Sequence, residues 1–134
     1  MSNKLFANWE PIAEALRDVR NDGTSTDWTL VGYNSTKMET LQLVASGCGG
    51  TDEMKQHLSS DQALYGFVRV SERIDESDTI KFCFIKWVGT DLRPMSRAKL
   101  TPQVGEITAK FKPYHVDLYC TELEEVSQEV VEAL

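Results

Sequence analysis

The chain has 134 residues, 41% hydrophobic and 26% charged, with a net charge of -7. That is enough for one domain with one core, and ordinary for a globular protein. The acidic total disfavours general binding to nucleic acid or anionic membrane. No apolar run approaches the roughly 18–20 residues of a membrane span. The start "MSNKLFANW" has no apolar stretch of signal-peptide length. Three cysteines, Cys48, Cys83 and Cys120, are odd in number and widely spaced. They fit reduced thiols in the cytoplasm better than a disulfide framework.

The spacing of residues 8–20 predicts a helix with Asn8 as its cap and Ile12, Leu16 and Val19 on one stripe. Residues 27–33 and 38–46 read as strands joined by the polar "NSTK" turn. A short helix over 51–58 follows the "GCGG" connection, with Thr51 as its cap. Residues 63–70 and 79–89 are strands with few polar positions, which places them at a sheet centre covered on both faces. The "ERIDESD" run between them reads as a polar hairpin loop.

Residues 93–112 have helical spacing, with Pro94 suited to the first helical position and Met95, Ala98 and Leu100 as apolar positions. Pro102 lacks an N–H, so the helix is expected to kink or restart at Thr101-Pro102. Val104, Ile107 and Phe111 form the apolar stripe of its second segment. Residues 114–120 are a fifth strand with Val116, Leu118 and Cys120 on one face. Thr121 and Glu124 make a capping box for a final amphipathic helix to Leu134. The order predicts an α/β single-domain three-layer sandwich: a central five-stranded mixed sheet flanked by helices on both faces, spanning 1–134 with 1–7 flexible. The fourth and fifth strands, joined through a helix, can be parallel.

Catalytic signals are sparse. His57 and His115 are the only histidines, and neither has metal-ligand spacing. Asp117 shares the strand face of His115, whereas Cys120 points to the other side. "GCGGTDE" lacks the lysine of a phosphate loop and carries two acids at the helix start. Trp9, Trp28 and Trp87 read as core anchors. No enzymatic activity, metal or cofactor is expected.

The charge distribution is uneven. Seven Lys or Arg and two acids lie between Lys81 and Lys112, a balance of +5, which leaves -12 for the rest. A charged helix face is ordinarily a solvated one. A local basic face can also dock on an acidic protein surface although the whole chain is negative.

"YGFVRV", then "KFCFIKWVG", then "RAK" six residues after Asp91, in this order and spacing, resemble the actin-depolymerising-factor homology domain, and the coactosin branch in particular. The resemblance covers about 8–134. It implies an actin-binding fold with a long helix presented to actin. It matches Arg97 and Lys99 to the family's basic pair on that helix, and Lys81 to a basic position used on filaments. Arg93 at the same helix start completes the candidate set. The branch binds filaments without depolymerising them. The implied partner is the actin filament, with weaker binding to monomeric actin. A monomeric protein in the cytoplasm, on the actin cytoskeleton, is expected.

The chain departs from the pattern at Thr90-Asp91, where Glu-Asn is more usual, at Pro102 and Gly105 in the long helix, and in a final helix without basic residues. Two alternatives remain: a domain of this fold that regulates another complex, as the glia-maturation-factor branch does, and a cofilin-like depolymerising factor.

Overall fold

The computed structural model describes residues 5, 6, 8–35 and 37–126, and for 72–74 and 78 the backbone alone. The elements are α1 (Trp9–Arg20), β1 (Trp28–Tyr33), β2 (Leu41–Gly47), α2 (Gly50–Met54) with a 3-10 turn (Lys55–His57), β3 (Ala63–Ile74), β4 (Ser77–Val88), α3 (Pro94–Phe111) and β5 (Val116–Cys120). A second 3-10 turn spans Leu123–Glu125. The strands form one sheet in the order β2-β1-β3-β4-β5. All neighbours are antiparallel except β4 and β5, which are parallel across α3. The sequence places β3 and β4 centrally because both faces of each are apolar, and the structure agrees.

Strand alternation divides the core between two faces. Phe67 of β3 and Phe84 of β4 point to one side, where they meet Ile12, Leu16 and Val19 of α1 and Ile107 and Phe111 of α3. Val68, Cys83, Ile85 and Trp87 point to the other, against Met54 of α2 and Cys120. Arg20 ties the ends of α1 and α3 together. Its guanidinium donates to the Phe111 carbonyl at 2.8 Å and lies 4.8 Å from the Phe67 ring centroid. Of the tryptophans, Trp28 and Trp87 are buried, while Trp9 is partly buried beneath the Lys110 ammonium.

Several expectations are corrected. The helix does not restart at Thr101-Pro102: α3 runs unbroken for 18 residues with Pro102 inside it. Pro102 and Ala98, whose carbonyl loses its usual donor, both face solvent, so water can replace the missing bond. Met95 and Ala98 are exposed, and burial on α3 is confined to Ile107 and Phe111, with Leu100 and Val104 half-buried. The "ERIDESD" run is strand rather than loop. Asp75 and Glu76 alone make the turn, both at positive φ (49° and 67°), as a two-residue hairpin connection requires.

Met38 stands before β2 rather than in it, with φ at 54° and its side chain buried against Ala63, Val88 and Leu92. Thr51 does not cap α2; Gly49 holds that position, and Thr51 is buried inside the helix. Glu53 reaches back instead, accepting from Gly49 N at 3.2 Å and from Trp28 Nε1 at 2.8 Å. Those two bonds, Trp28 first, hold its carboxyl below the usual range. The capping box falls one residue later than expected, on Glu122 and Glu125. The rest of the final helix, 127–134, lies outside the described residues. Within 1–7, Leu5 is buried and Phe6 pairs with Leu41 of β2, so these two are docked rather than loose.

Candidate functional site

The β4–α3 turn is held by three hydrogen bonds to the segment before β3. Gly89 N donates to the Gln62 carbonyl and Asp91 N to that of Ser60, at 2.9 and 2.7 Å. Ser60 Oγ returns a bond to the Asp91 carboxylate at 2.7 Å. The Gly89 backbone packs so closely on Ser60 that a Cβ would collide with the Ser60 carbonyl. Pro94 then starts α3 at its first turn.

Arg97 folds back onto this turn. Its Nε donates to the Leu92 carbonyl at 3.1 Å, and one terminal nitrogen donates to Gly89 and Thr90 carbonyls at 3.2 and 2.8 Å. Lys99 reaches the other way, and its Nζ donates to the Lys37 carbonyl at 2.6 Å. One turn later Gln103 Nε2 donates to the Met38 carbonyl at 2.8 Å. Gln103 Oε1 accepts from the Tyr33 hydroxyl at 2.6 Å, which lies 3.1 Å from that of Tyr65. Burial and the neighbouring Tyr65 push the Tyr33 phenol well above its ordinary range. Lys99 and Gln103, four residues apart on one helix face, thus strap the loop between β1 and β2 to α3.

The predicted residues fall into two groups. Arg93, Arg97 and Lys99 lie at the start of α3, Arg93 as the residue before it and Arg97 and Lys99 in its first turns reaching opposite ways, and all three are exposed. Arg93 borders an open cleft of about 710 Å³ that also receives Tyr33, Asp61, Asp91 and Ser96. Lys81 stands apart. It is paired in register with Val70 and so shares the sheet face of Val70 and Cys83, opposite α3. Eight rises of about 3.3 Å separate it from Gly89, about 26 Å. Sequence reasoning missed the Gln103 and Lys37 strap. The one available sign was the four-residue step from Lys99 to Gln103; nothing local points to Lys37.

The remaining polar clusters are structural. His115 Nδ1 accepts from Phe82 N at 2.9 Å, and Asp117 pairs with Lys86 at 2.9 Å. Cys120 is buried in the opposite core. Among the described residues no group of three or more His, Cys, Asp or Glu is arranged to hold a metal ion, and no helix is long and apolar enough to cross a membrane.

A mixed five-stranded sheet with its long helix crossing between the parallel strands β4 and β5, and a basic first turn on that helix, agrees with the family model for cofilin/tropomyosin-type actin-binding proteins, which matches residues 6–133. The chain belongs to this family. Its coactosin-type relatives include coactosin of Entamoeba histolytica, 27% identical over 124 residues, covering 92% of this chain and 81% of the relative. The crystal structure of coactosin from the same organism superposes with a TM-score of 0.85 at 25% identity, covering 99% of this chain and 94% of that one. Drebrin-like protein B of Xenopus laevis is 29% identical over 131 residues, covering 98% of this chain. The chain spans about a third of that relative's length, 34%. The fold shared with coactosin thus carries the exposed cations of α3.

Proposed function

We propose that this protein binds actin filaments in preference to actin monomers, and does so without shortening filaments or enlarging the monomer pool. It acts as a monomer in the cytoplasm, on the actin cytoskeleton, with no chemistry and no cofactor of its own. The observation that carries this reading is the separation of its cations. Arg93, Arg97 and Lys99 follow the turn at one end of β4, and Lys81 lies about 26 Å from Gly89 of that turn and on the opposite sheet face. One partner subunit placed against α3 leaves Lys81 for a neighbouring subunit, and adjacent subunits exist in the filament alone.

The basic segment also steers the encounter. A chain of net charge -7 concentrates +5 between Lys81 and Lys112, so an acidic partner surface is drawn to this segment first. Binding therefore weakens as the screening length falls from about 10 Å at 0.1 M salt to about 3 Å at 1 M.

Co-sedimentation with filaments, alongside a steady-state pyrene-actin assay, tests the reading. The expected result is saturable pelleting with no change in the monomer pool. Depolymerisation, or monomer binding as tight as filament binding, would overturn it in favour of a cofilin-like role.

A further inference from the structure

We propose that Met95 is an oxidation-sensitive site, and that its conversion to the sulfoxide by a hydroperoxide loosens the α3 surface from actin. The effect rests on the filament-binding reading above; the chemistry rests on exposure. Met95 is 82% exposed, against 4% for Met38 and 0% for Met54. Oxygen transfer requires the thioether sulfur to meet the peroxide directly. The sulfur lone pair attacks one peroxide oxygen, an S–O bond forms and the O–O bond breaks. The departing oxygen takes up the proton and leaves as alcohol or water. Sulfur loses two electrons and the peroxide gains them. Packing denies Met38 and Met54 this approach.

The position gives the modification its consequence. Met95 stands between Arg93 and Arg97 on the first turn of α3. Ala98, Lys99 and Pro102, three, four and seven residues on, are exposed along the same side of the helix. Exposed helix positions are ordinarily polar. A large apolar side chain almost wholly in water, set among exposed cations, has the character of an interface anchor awaiting its partner. Methionine suits such a surface because its thioether adapts to irregular contacts. The sulfoxide replaces an apolar group with a polar one that must shed water to be buried. Reductases specific for methionine sulfoxide reverse the change, so the site can act as a switch.

Cys48 is an exposed free thiol and competes for oxidant, so the experiment uses a Cys48→Ser background. That protein and its Met95→Leu derivative are treated with graded hydrogen peroxide. Sulfoxide is mapped by peptide mass, and filament co-sedimentation of each is compared with its own untreated form. Sulfoxide should accumulate first at Met95 among Met38, Met54 and Met95, weaken filament binding about tenfold, and leave the circular dichroism spectrum unchanged. Methionine sulfoxide reductase should restore binding, and peroxide should not alter binding by the Met95→Leu derivative. Oxidation of Met38 or Met54 ahead of Met95, or full oxidation of Met95 with unchanged binding, overturns the proposal. If the untreated protein fails to pellet, the filament reading falls and the effect on binding with it, while the mass map still decides the chemistry.

Discussion

The Arg97 guanidinium donates to the Thr90 carbonyl at 2.8 Å, so a side chain proposed for the actin contact also fastens the turn that carries its own helix. Three main-chain carbonyls, of Gly89, Thr90 and Leu92, accept from it. A pre-positioned cation loses less freedom on binding than a mobile one.

Arg97 and Lys99 therefore separate in mutagenesis. Arg97→Ala should lower both stability, by about 1–2 kcal/mol through the lost carbonyl bonds, and filament binding. Lys99→Glu should lower binding with little change in the urea midpoint, because it gives up one exposed bond to the Lys37 carbonyl. The double replacement Arg97→Glu with Lys99→Glu should abolish pelleting. Urea titration and co-sedimentation on the same preparations check both; normal pelleting of the double variant removes this helix from the site.

Lys81→Ala should weaken filament binding and leave monomer binding unchanged, since Lys81 lies about 26 Å from the turn and on the other sheet face. Equal loss towards filament and monomer, measured by co-sedimentation and by fluorescence titration of labelled monomer, would place Lys81 in the same contact as α3.

Two glycines should respond in opposite directions. Gly105 is exposed within α3, and nothing lies within 4 Å of a Cβ built there. Gly105→Ala should stabilise by about 1 kcal/mol through helix propensity and raise Tm by about 4 °C. Gly89→Ala drives a methyl into the Ser60 backbone and should cost about 3 kcal/mol. Thermal melts of the two variants settle both signs.

Alkaline pH should unfold the protein through its buried acids. Burial pushes the Cys83 and Cys120 thiols up to about 12, with Cys120 and Asp117 adding to the first and Glu125 to the second. In the unfolded chain a thiol ionises near 8.5. The unfolded state thus gives up protons that the folded state keeps. Stability is complete below about pH 8.5 and falls as pH rises towards 12, by about 1.4 kcal/mol per pH unit per thiol. The raised phenols of Tyr33 and Tyr65 add to the loss above about pH 10. Urea midpoints at pH 7.5, 9.5 and 10.5 should fall in that order, about as steeply as these groups titrate; a flat profile contradicts the assigned burial. For the same reason one thiol, Cys48, should react rapidly with a thiol reagent near pH 8, and two should not.

Periodicity made much of this fold legible. The alternation of "KFCFIKWVG" separates Phe82 and Phe84 from Cys83, Ile85 and Trp87, and the structure sends the two sets to different cores. Where the reading missed, a local rule yielded to context. Pro102 is a helix breaker by propensity, yet it is tolerated where Ala98, whose carbonyl it leaves without a donor, is exposed to water. The polar "ERIDESD" run looks like a loop because its backbone pairing leaves no mark on composition. The basic residues of the candidate site were visible as charge. Their separation was not, because it depends on which way Lys81 faces and on a loop 62 residues away in sequence reaching Lys99.

The pairing of β3 with β4 continues from Arg69↔Phe82 to Ile74↔Ser77, past the last paired residue of β1 and before the first of β5. Arg69 and Phe82 are still tied to Asp27 and His115, so the five rungs from Val70↔Lys81 outward project from the sheet as a two-stranded cantilever, about 16 Å long, with Lys81 at its root. An isolated ribbon of two strands is only marginally stable in water. Amide exchange should therefore run as a gradient, fast at the Asp75–Glu76 tip and slow at Cys83, where strands flank the pair on both sides. Lys81 sits where that gradient is steep, so a filament that grips it would also quiet the motion of the beam beyond.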